Sequence, residues 1–358
     1  MLQLKRQKKA DHVVGLEIEA AGIAAAEVDA SNRVNGALHP LPPGAFHEGE
    51  IADPDALSAS LKDLWARHKL SKRVRVGIGN QRVVVRTLRL PAIEDPEEME
   101  AAVRFQAQEQ MPMPLDQAVL EHQVVGGVAG EDGSSPQVDV VVVAARRDMV
   151  QSFVEPLRRA GLEPVGIDLS AFGMIRALAG IDSAPAEPGE STASSQAVLY
   201  CNLGDVMNLA VARGRSCLFT RVSPGGMDPI VARLASEAGL TPEHARQWLM
   251  YVGLSQPAEQ IEADPEVVAR TRAALESGVS DLVDELRLSL DYYGAQESAV
   301  PVDRIVVCGP GSAIPGLASA MEANVGLPIV ASRPPAFAGY DDGLAARLTL
   351  AYGLALEN

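Results

Sequence analysis

The sequence contains one strand pattern twice, at its start and again just after its middle. In "VVGLEIEAAGIAAAEV", Val13 to Val28, a turn joins two apolar runs, and a third short run follows near Val34. In "AVLYCNLGDVMNLAVARGRSCLFTRV", from Ala197, three strand-like runs are again joined by glycine turns. Because helical and strand-like segments alternate after each of these meanders, we predict a duplicated α/β unit.

The length of the chain and one polar stretch predict how the two units are divided. A chain of 358 residues fits two domains of about 150 residues each. The stretch "GIDSAPAEPGESTASSQ" contains too little apolar surface to order itself. We therefore expect a first domain at 1–180, a flexible linker at 181–196 and a second domain at 197–358.

Composition and charge favour a cytoplasmic protein that does not bind nucleic acid. The chain has 31 basic and 47 acidic residues, and its net charge of −16 repels nucleic acid. No apolar run reaches the roughly 18 residues of a membrane span, and the acids Glu17 and Glu19 follow the basic start too closely for a signal peptide. Two interpretations of the basic start are open, contact with anionic lipid or a solubilising terminus; its residues are Lys5, Arg6, Lys8 and Lys9.

The sequence predicts neither a metal site nor a catalytic group. Cys201, Cys217 and Cys308 lie in apolar runs without paired spacing, which is typical of reduced, buried thiols. The six histidines have no partner three or four residues away, so we expect no metal site formed by the protein alone. The motifs GxSxG and CxxC are missing, so we predict no catalytic residues.

Four stretches, taken together and in order, resemble a known family over almost the whole chain. They are "RVVVRTLRLPAIEDPEEMEAAVRFQAQEQMPMPLDQAVLEHQVV", "VVVVAARRDMVQSFVEPLRRAGLEPVGIDLSAFGMIRAL", "ELRLSLDYYGAQ" and "LTLAYGLALEN". The sequence resembles the type IV pilus assembly protein PilM family, within the superfamily of actin, sugar kinases and Hsp70. This resemblance implies a duplicated actin-like (RNase H-like) α/β fold of two domains, with a small α+β subdomain inserted in the first half at about 86–168.

The resemblance also implies a site for ATP between the two halves, but this chain departs from the family at both phosphate loops. The first loop usually reads like "DIGSSSVK", and here "EIEAAGIA" lacks the hydroxyls and the lysine, while Glu19 adds a negative charge near the phosphate position. The second loop usually reads like "DIGATTTNL", and here Asn202 replaces its aspartate. Asp205 either stands in for that acid or caps the turn.

The positions that the resemblance assigns to the nucleotide are largely glycines. They are Glu17, Gly22, Gly204, Asp205, Gly225, Gly226, Gly309, Gly311 and Ser312. The glycines are either a residual nucleotide pocket or tight-turn positions that the fold needs without any ligand. We expect ATP binding to be weak or absent and hydrolysis not to occur, because phosphoryl transfer depends on metal positioning and charge neutralisation. The expected protein is therefore a pseudo-ATPase scaffold and not an enzyme.

The resemblance further implies a partner, the N-terminal cytoplasmic peptide of a PilN-like single-span membrane protein. The peptide would lie in a groove between the inserted subdomain and the first half, and other components of the pilus platform and its motor are expected partners. Our candidates for the groove are Phe105, Met111, Met113 and Leu115, with core packing an equal alternative for Phe105 and Leu115. The expected function is a cytoplasmic scaffold of the pilus assembly platform, peripheral at the inner membrane through its partner and serving twitching motility.

Two other classes of function remain as alternatives. The first is an active ATPase or small-molecule kinase of the same superfamily, against which the missing lysine and acid argue. The second is a related scaffold of secretion or cell division. The closing "LTLAYGLALEN" argues against it, because it has neither a basic amphipathic helix nor a membrane span.

Overall fold

The structure is a computed structural model that describes residues 12–128, 136–179, 181, 196–296 and 299–356. Two predicted features lie outside the described residues: the basic cluster between Lys5 and Lys9, and nearly all of the linker, 182–195.

The first part of the chain forms a strand meander backed by a helix. Its elements are β1 (Val14–Glu19), β2 (Gly22–Val28), β3 (Val34–His39), the short β4 (Phe46–His47) and β5 (Glu50–Ile51), α1 (Pro54–Arg67) and β6 (Arg73–Ile78). β1, β2 and β3 pair antiparallel, and β6 pairs parallel with β1. The carboxylate of Asp53 caps the first turn of α1, and the buried leucines of that helix join the core under the sheet.

A small α+β unit follows β6. It comprises β7 (Val83–Pro91), α2 (Pro96–Gln110), β8 (Ala118–Val128) and β9 (Gln137–Arg146), with the antiparallel strand order β7-β9-β8. Asp95 caps α2, and the helix ends at Gln110, two residues before Pro112, which cannot donate to a further turn. Val103 and Ala107 of this helix are fully buried against the sheet, so the unit has a core of its own.

The chain then returns to the first sheet through α3 (Arg147–Arg159), β10 (Glu163–Leu169) and α4 (Ser170–Leu178). β10 pairs parallel with β6 and completes a sheet of order β10-β6-β1-β2-β3. Phe153 and Leu157 of α3 are buried in the core of that sheet. The insertion, with its own sheet and helix, thus spans 83–146. The predicted segment of 86–168 also included α3 and β10, which pack with the first sheet instead.

The second half repeats the strand arrangement of the first. Its elements are β11 (Ala197–Leu203), β12 (Met207–Arg213), β13 (Ser216–Ser223), α5 (Met227–Ala238), α6 (Pro242–Val252), α7 (Pro265–Gly294), β14 (Val302–Cys308), α8 (Leu317–Val325), β15 (Ile329–Ala331) and α9 (Asp342–Ala355). The sheet order is β13-β12-β11-β14-β15, in which β11 to β13 form an antiparallel meander and β14 pairs parallel with β11. The predicted duplicated α/β fold is confirmed.

The last helix, α9, packs back onto the first half. It contacts β1, β2 and α4, and its buried residues form a cluster with Ala24 and Ala26 of β2. Arg75 of β6 donates from Nη1 to the carbonyl oxygens of Leu354 at 2.9 Å and Leu356 at 2.8 Å, which satisfies carbonyls at the end of α9. This packing joins the two halves on the side of the first sheet.

Candidate functional site

The candidate site lies where the β1–β2 turn of the first half faces the β11–β12 turn of the second. Two of its contacts join Asp205 to the first half: Oδ2 of Asp205 accepts a hydrogen bond from the backbone N–H of Ala20 and another from Ala21 at 3.3 Å. The side chain of Asp205 is only 7% exposed. The structure therefore places this carboxylate against the β1–β2 turn, to which the resemblance assigns the first phosphate loop.

The second oxygen of Asp205 faces an arginine. Nη2 of Arg246, on α6, lies 3.6 Å from Oδ1 of Asp205 and 3.0 Å from Oδ1 of Asp228. The backbone N–H of Met227 donates to the carbonyl oxygen of Gly204 at 2.8 Å, so the turn is anchored to the start of α5. The contacts of Arg246 with these two acids were not predictable, since a lone arginine on a helix gives no sign in the sequence of the acids beside it.

Two more acids from β1 lie beside this contact. Ser170 at the start of α4 donates from Oγ to Oε2 of Glu17 at 3.1 Å, and Glu19 accepts a hydrogen bond from Asn202 of β11. A Cβ atom on Gly204 would overlap Oε1 of Glu19, so the glycine leaves room for the glutamate carboxylate at this position. The glutamate that replaces the family's glycine is thus accommodated against the second turn.

Burial raises the pKa of all three carboxyl groups. It raises the pKa of Glu17 to about 8, partly offset by the hydrogen bond from Ser170, and the charge of Asp205 raises it further. The pKa of Glu19 is raised to about 7, first by burial and then by Glu17, while Arg347 lowers it. The pKa of Asp205 is raised by burial and by Glu19, against the effect of Arg246. Part of this cluster takes up protons near neutral pH.

The glycines predicted to hold a nucleotide contact the protein itself. A Cβ on Gly309, which has φ +82°, would overlap Oδ1 of Asn202, and a Cβ on Gly226 would overlap the backbone around Asp205. A Cβ on Gly311 would lie 2.8 Å from Leu203, and Oγ of Ser312 donates to the carbonyl oxygen of Gly309 at 2.7 Å. Gly22 similarly faces the backbone of His39, and Gly225 faces the side chain of Glu285. Each position thus has a packing contact within the described structure.

A cavity of about 900 Å³ opens beside the Asp205 contact, between the two halves. Ala20, Ala21, Asp205, Arg246 and Arg347 are among its lining residues, together with the β3–β4 connection and α5 and α6. Glu17 and Glu19 instead face a cavity of about 20 Å³, behind Asp205. Of the predicted nucleotide residues, Asp205 borders the large cavity, whereas the predicted glycines do not contribute to its described lining.

The predicted partner-binding residues occupy different environments at the end of α2. Phe105 is 69% exposed, whereas Met111 is buried in the core of the insertion. Met113 and Leu115 are partly buried against the same core. The structure therefore brings Met111, Met113 and Leu115 together and leaves the aromatic ring of Phe105 in solvent.

Another cavity, of about 500 Å³, lies at the junction of the insertion with both halves, and none of the four residues predicted for the peptide groove lines it. It is lined by residues 78–81 at and after the end of β6, residues 83–86 of β7 and residues 219–222 of β13, with Leu288 and Tyr292 of α7. β7 and β13 are each the edge strand of their sheet. The amide of Asn208, 3% exposed, also lines this cavity, and its Oδ1 has no hydrogen-bond partner among the described residues. The cavity thus combines two strand edges, an apolar wall and an unpaired acceptor.

Among the described residues, no group of three or more histidine, cysteine, aspartate or glutamate side chains is placed to hold a metal ion. Over the same ranges, no helix is long and apolar enough to cross a bilayer. The three cysteines are buried free thiols, and burial raises the pKa of Cys217 to about 12.

The two sheets of equal topology, which face each other through their first hairpin turns, form an actin-like fold. A structure described as "PilM-PilN type IV pilus biogenesis complex" is similar with a TM-score of 0.75, at 24% identity, over 96% of this chain and 97% of that one. The ethanolamine utilization protein EutJ from Carboxydothermus hydrogenoformans is similar at 14% identity, with a TM-score of 0.52, over 95% of this chain and 88% of that one. MreB5 of Spiroplasma citri bound to ADP gives 12% identity and a TM-score of 0.51, over 96% and 95%.

The family model described as type IV pilus assembly protein PilM matches residues 15–358. The chain therefore belongs to the type IV pilus assembly protein PilM family, as its sequence motifs predicted.

Proposed function

We propose that this chain is a cytoplasmic scaffold of the type IV pilus assembly platform that binds the N-terminal cytoplasmic segment of a PilN-like membrane protein. The observation that carries the proposal is the family match over 15–358. The likeness to a structure described as a PilM-PilN complex agrees with it. Such a scaffold would be peripheral at the inner membrane through its partner and would contact other platform and motor components there.

The 500 Å³ cavity supports a site for an extended peptide at the junction of the insertion with the first half. Edge strands present unpaired N–H and C=O groups, and an added strand gains affinity from main-chain hydrogen bonds and specificity from pockets for alternate side chains. The partly buried Val85 of the edge strand β7 lines the cavity, and the exposed apolar side chains of Leu288 and Tyr292 face it from α7. The surface of Phe105, Met113 and Leu115 is the other candidate site.

Calorimetric titration with the N-terminal cytoplasmic peptide of the adjacent single-span membrane protein tests the proposal. We expect Val85→Asp to weaken binding by about tenfold or more, because it places a charge on an apolar wall. Val124→Asp, at an exposed position of the opposite edge strand β8, is the matched control and should bind as the wild type does. A loss of affinity in Met113→Asp alone would place the peptide at the end of α2. Failure of the folded wild type to bind any such peptide would contradict the function.

The same proposal includes a nucleotide site that does not hydrolyse ATP. Asn202 stands at the position of the metal-ordering acid and Ala24 at that of the lysine. The Asp205 carboxylate and the glutamate Glu19 fill the space next to the two hairpin turns, which supports weak or absent ATP binding. An active ATPase or kinase would need the acid and the lysine that Asn202 and Ala24 replace, since each missing electrostatic contact to a transition state lowers the rate by a factor of about 10² to 10³.

We expect no ATP turnover above background and a dissociation constant for ATP with magnesium weaker than micromolar. Without charge-assisted contacts to the phosphates, burial of the base and ribose alone limits the affinity. A phosphate-release assay and a titration on the purified full-length chain measure the two quantities. Turnover that disappears in Glu17→Ala, or sub-micromolar binding, would contradict this part of the proposal.

A further inference from the structure

We propose that Asp205 is an internal ligand that holds the two halves closed in the way a bound anion would. The proposal concerns the cleft and does not depend on peptide binding. It rests on two contacts between residues 184 and 185 positions apart in the chain, in which Oδ2 of Asp205 accepts the N–H groups of Ala20 and Ala21. Successive backbone N–H groups that converge on one point form an anion-binding concavity, and here a carboxylate of the same chain occupies it.

The surroundings of Asp205 fit a bound anion rather than a surface contact. Its side chain is 7% exposed, and Arg246 approaches the second oxygen at 3.6 Å. The backbone N–H of Asp228 donates to the carbonyl oxygen of Asp205 at 3.2 Å, which fixes the turn that carries the carboxylate. The side chain is thus held in place, because its two oxygens face two backbone amides and one guanidinium.

The contact crosses between the two sheets, and a second one accompanies it. The turn of Ala20 and Ala21 belongs to the first sheet, while Asp205 lies between β11 and β12 of the second. Beside it, the side chain of Glu19 in the first half accepts a hydrogen bond from Asn202 in the second half. A tethered group binds with a high effective concentration, so an external phosphate has to displace the carboxylate before it can reach these amides. The closed arrangement is therefore built into the chain and needs no nucleotide.

Hydrogen exchange of the Ala20 and Ala21 amides in the full-length protein measures this contact directly. Both residues are partly exposed and border the 900 Å³ cavity, so loss of the acceptor leaves their amides open to water. We expect Asp205→Ala to speed the exchange of both amides by about tenfold or more. Added formate, a free carboxylate, should slow it again in Asp205→Ala and leave the wild type unchanged.

A matched control and a milder variant complete the experiment. Asp29 also accepts two backbone N–H groups, from Ser31 at 2.7 Å and Arg33 at 3.0 Å, but within one turn of the first half. Asp29→Asn should therefore leave the exchange of Ala20 and Ala21 within about twofold of the wild type. If Asp205→Ala does not fold, Asp205→Asn replaces it in the experiment. Removal of the charge weakens the hydrogen bonds from Ala20 and Ala21, so we expect the exchange of both amides to be faster than in the wild type.

The proposal is overturned if Ala20 and Ala21 remain as protected in the folded variant as in the wild type. It is also overturned if formate slows exchange in the wild type as much as in Asp205→Ala, because the anion position would then be free. Peptide affinity, measured separately by titration, bears on the proposed function and on neither of these outcomes.

Discussion

Glu17→Gln is expected to stabilise the protein at pH 8 and to flatten the pH dependence of its unfolding free energy. In the folded protein the pKa of Glu17 is raised to about 8 from an ordinary value of 4.5. Between these values the folded state binds more protons than the unfolded state, so wild-type stability falls as the pH rises. The slope reaches at most about 1.4 kcal/mol per pH unit for one such group.

The glutamine keeps the contact with Ser170 because its amide oxygen still accepts a hydrogen bond. It also removes the charge that helps to raise the pKa of Glu19, so part of that group's pH dependence disappears as well. We expect the wild type to lose on the order of 2 kcal/mol between pH 5 and pH 8, and the variant to lose much less.

Urea unfolding at several pH values from 5 to 8 measures this difference. Glu121→Gln, at an exposed position of the edge strand β8, is the control and should follow the wild-type curve. Equal slopes in the wild type and in Glu17→Gln would show that Glu17 does not hold a proton in the folded state.

The fold was predictable because its signals are local. The two meanders are visible as apolar runs broken at glycine turns, and helices begin where Asp53, Asp95 and Asp264 precede a proline. The insertion was expected to extend to about residue 168, whereas in the structure its own sheet ends with β9 and the chain then returns to the first sheet. The pairing of β10 with β6 depends on contacts between residues about 90 positions apart, which no local pattern reports.

The candidate site was predictable only in its location. Sequence comparison identified the two hairpin turns and their missing polar groups, and thus predicted where Glu17, Gly204 and Asp205 lie. The partners of Asp205 could not be read in the same way, because Ala20 and Ala21 contribute only backbone N–H groups, which every non-proline residue has. The residues that line the 500 Å³ cavity were also hidden from the sequence, since they come together only when the edges of two different sheets meet.

Gly353→Ala is expected to lower the free energy of unfolding by about 3 kcal/mol or more, because it adds volume where two backbones touch. Gly353 lies on α9 where this helix crosses α4, and a Cβ atom there would overlap the carbonyl oxygen of Gly173. Nε of Arg176 donates to the carbonyl oxygen of Gly353 at 2.9 Å, so the two helices are also bonded at this point. The atoms that this Cβ would meet belong to the backbone of Gly173 and to Cβ of Ala177, and not to the flexible end of a side chain, so the helices would have to separate. That movement would pull α9 from β1 and from Arg75, which holds the end of the helix.

Gly294→Ala, at the end of α7 with no atom within 4 Å of its added Cβ, is the matched control and should be neutral or more stable by up to about 1 kcal/mol. Guanidinium unfolding of both variants compares them; a Gly353→Ala protein within about 1 kcal/mol of the wild type would mean that α4 and α9 are not in backbone contact.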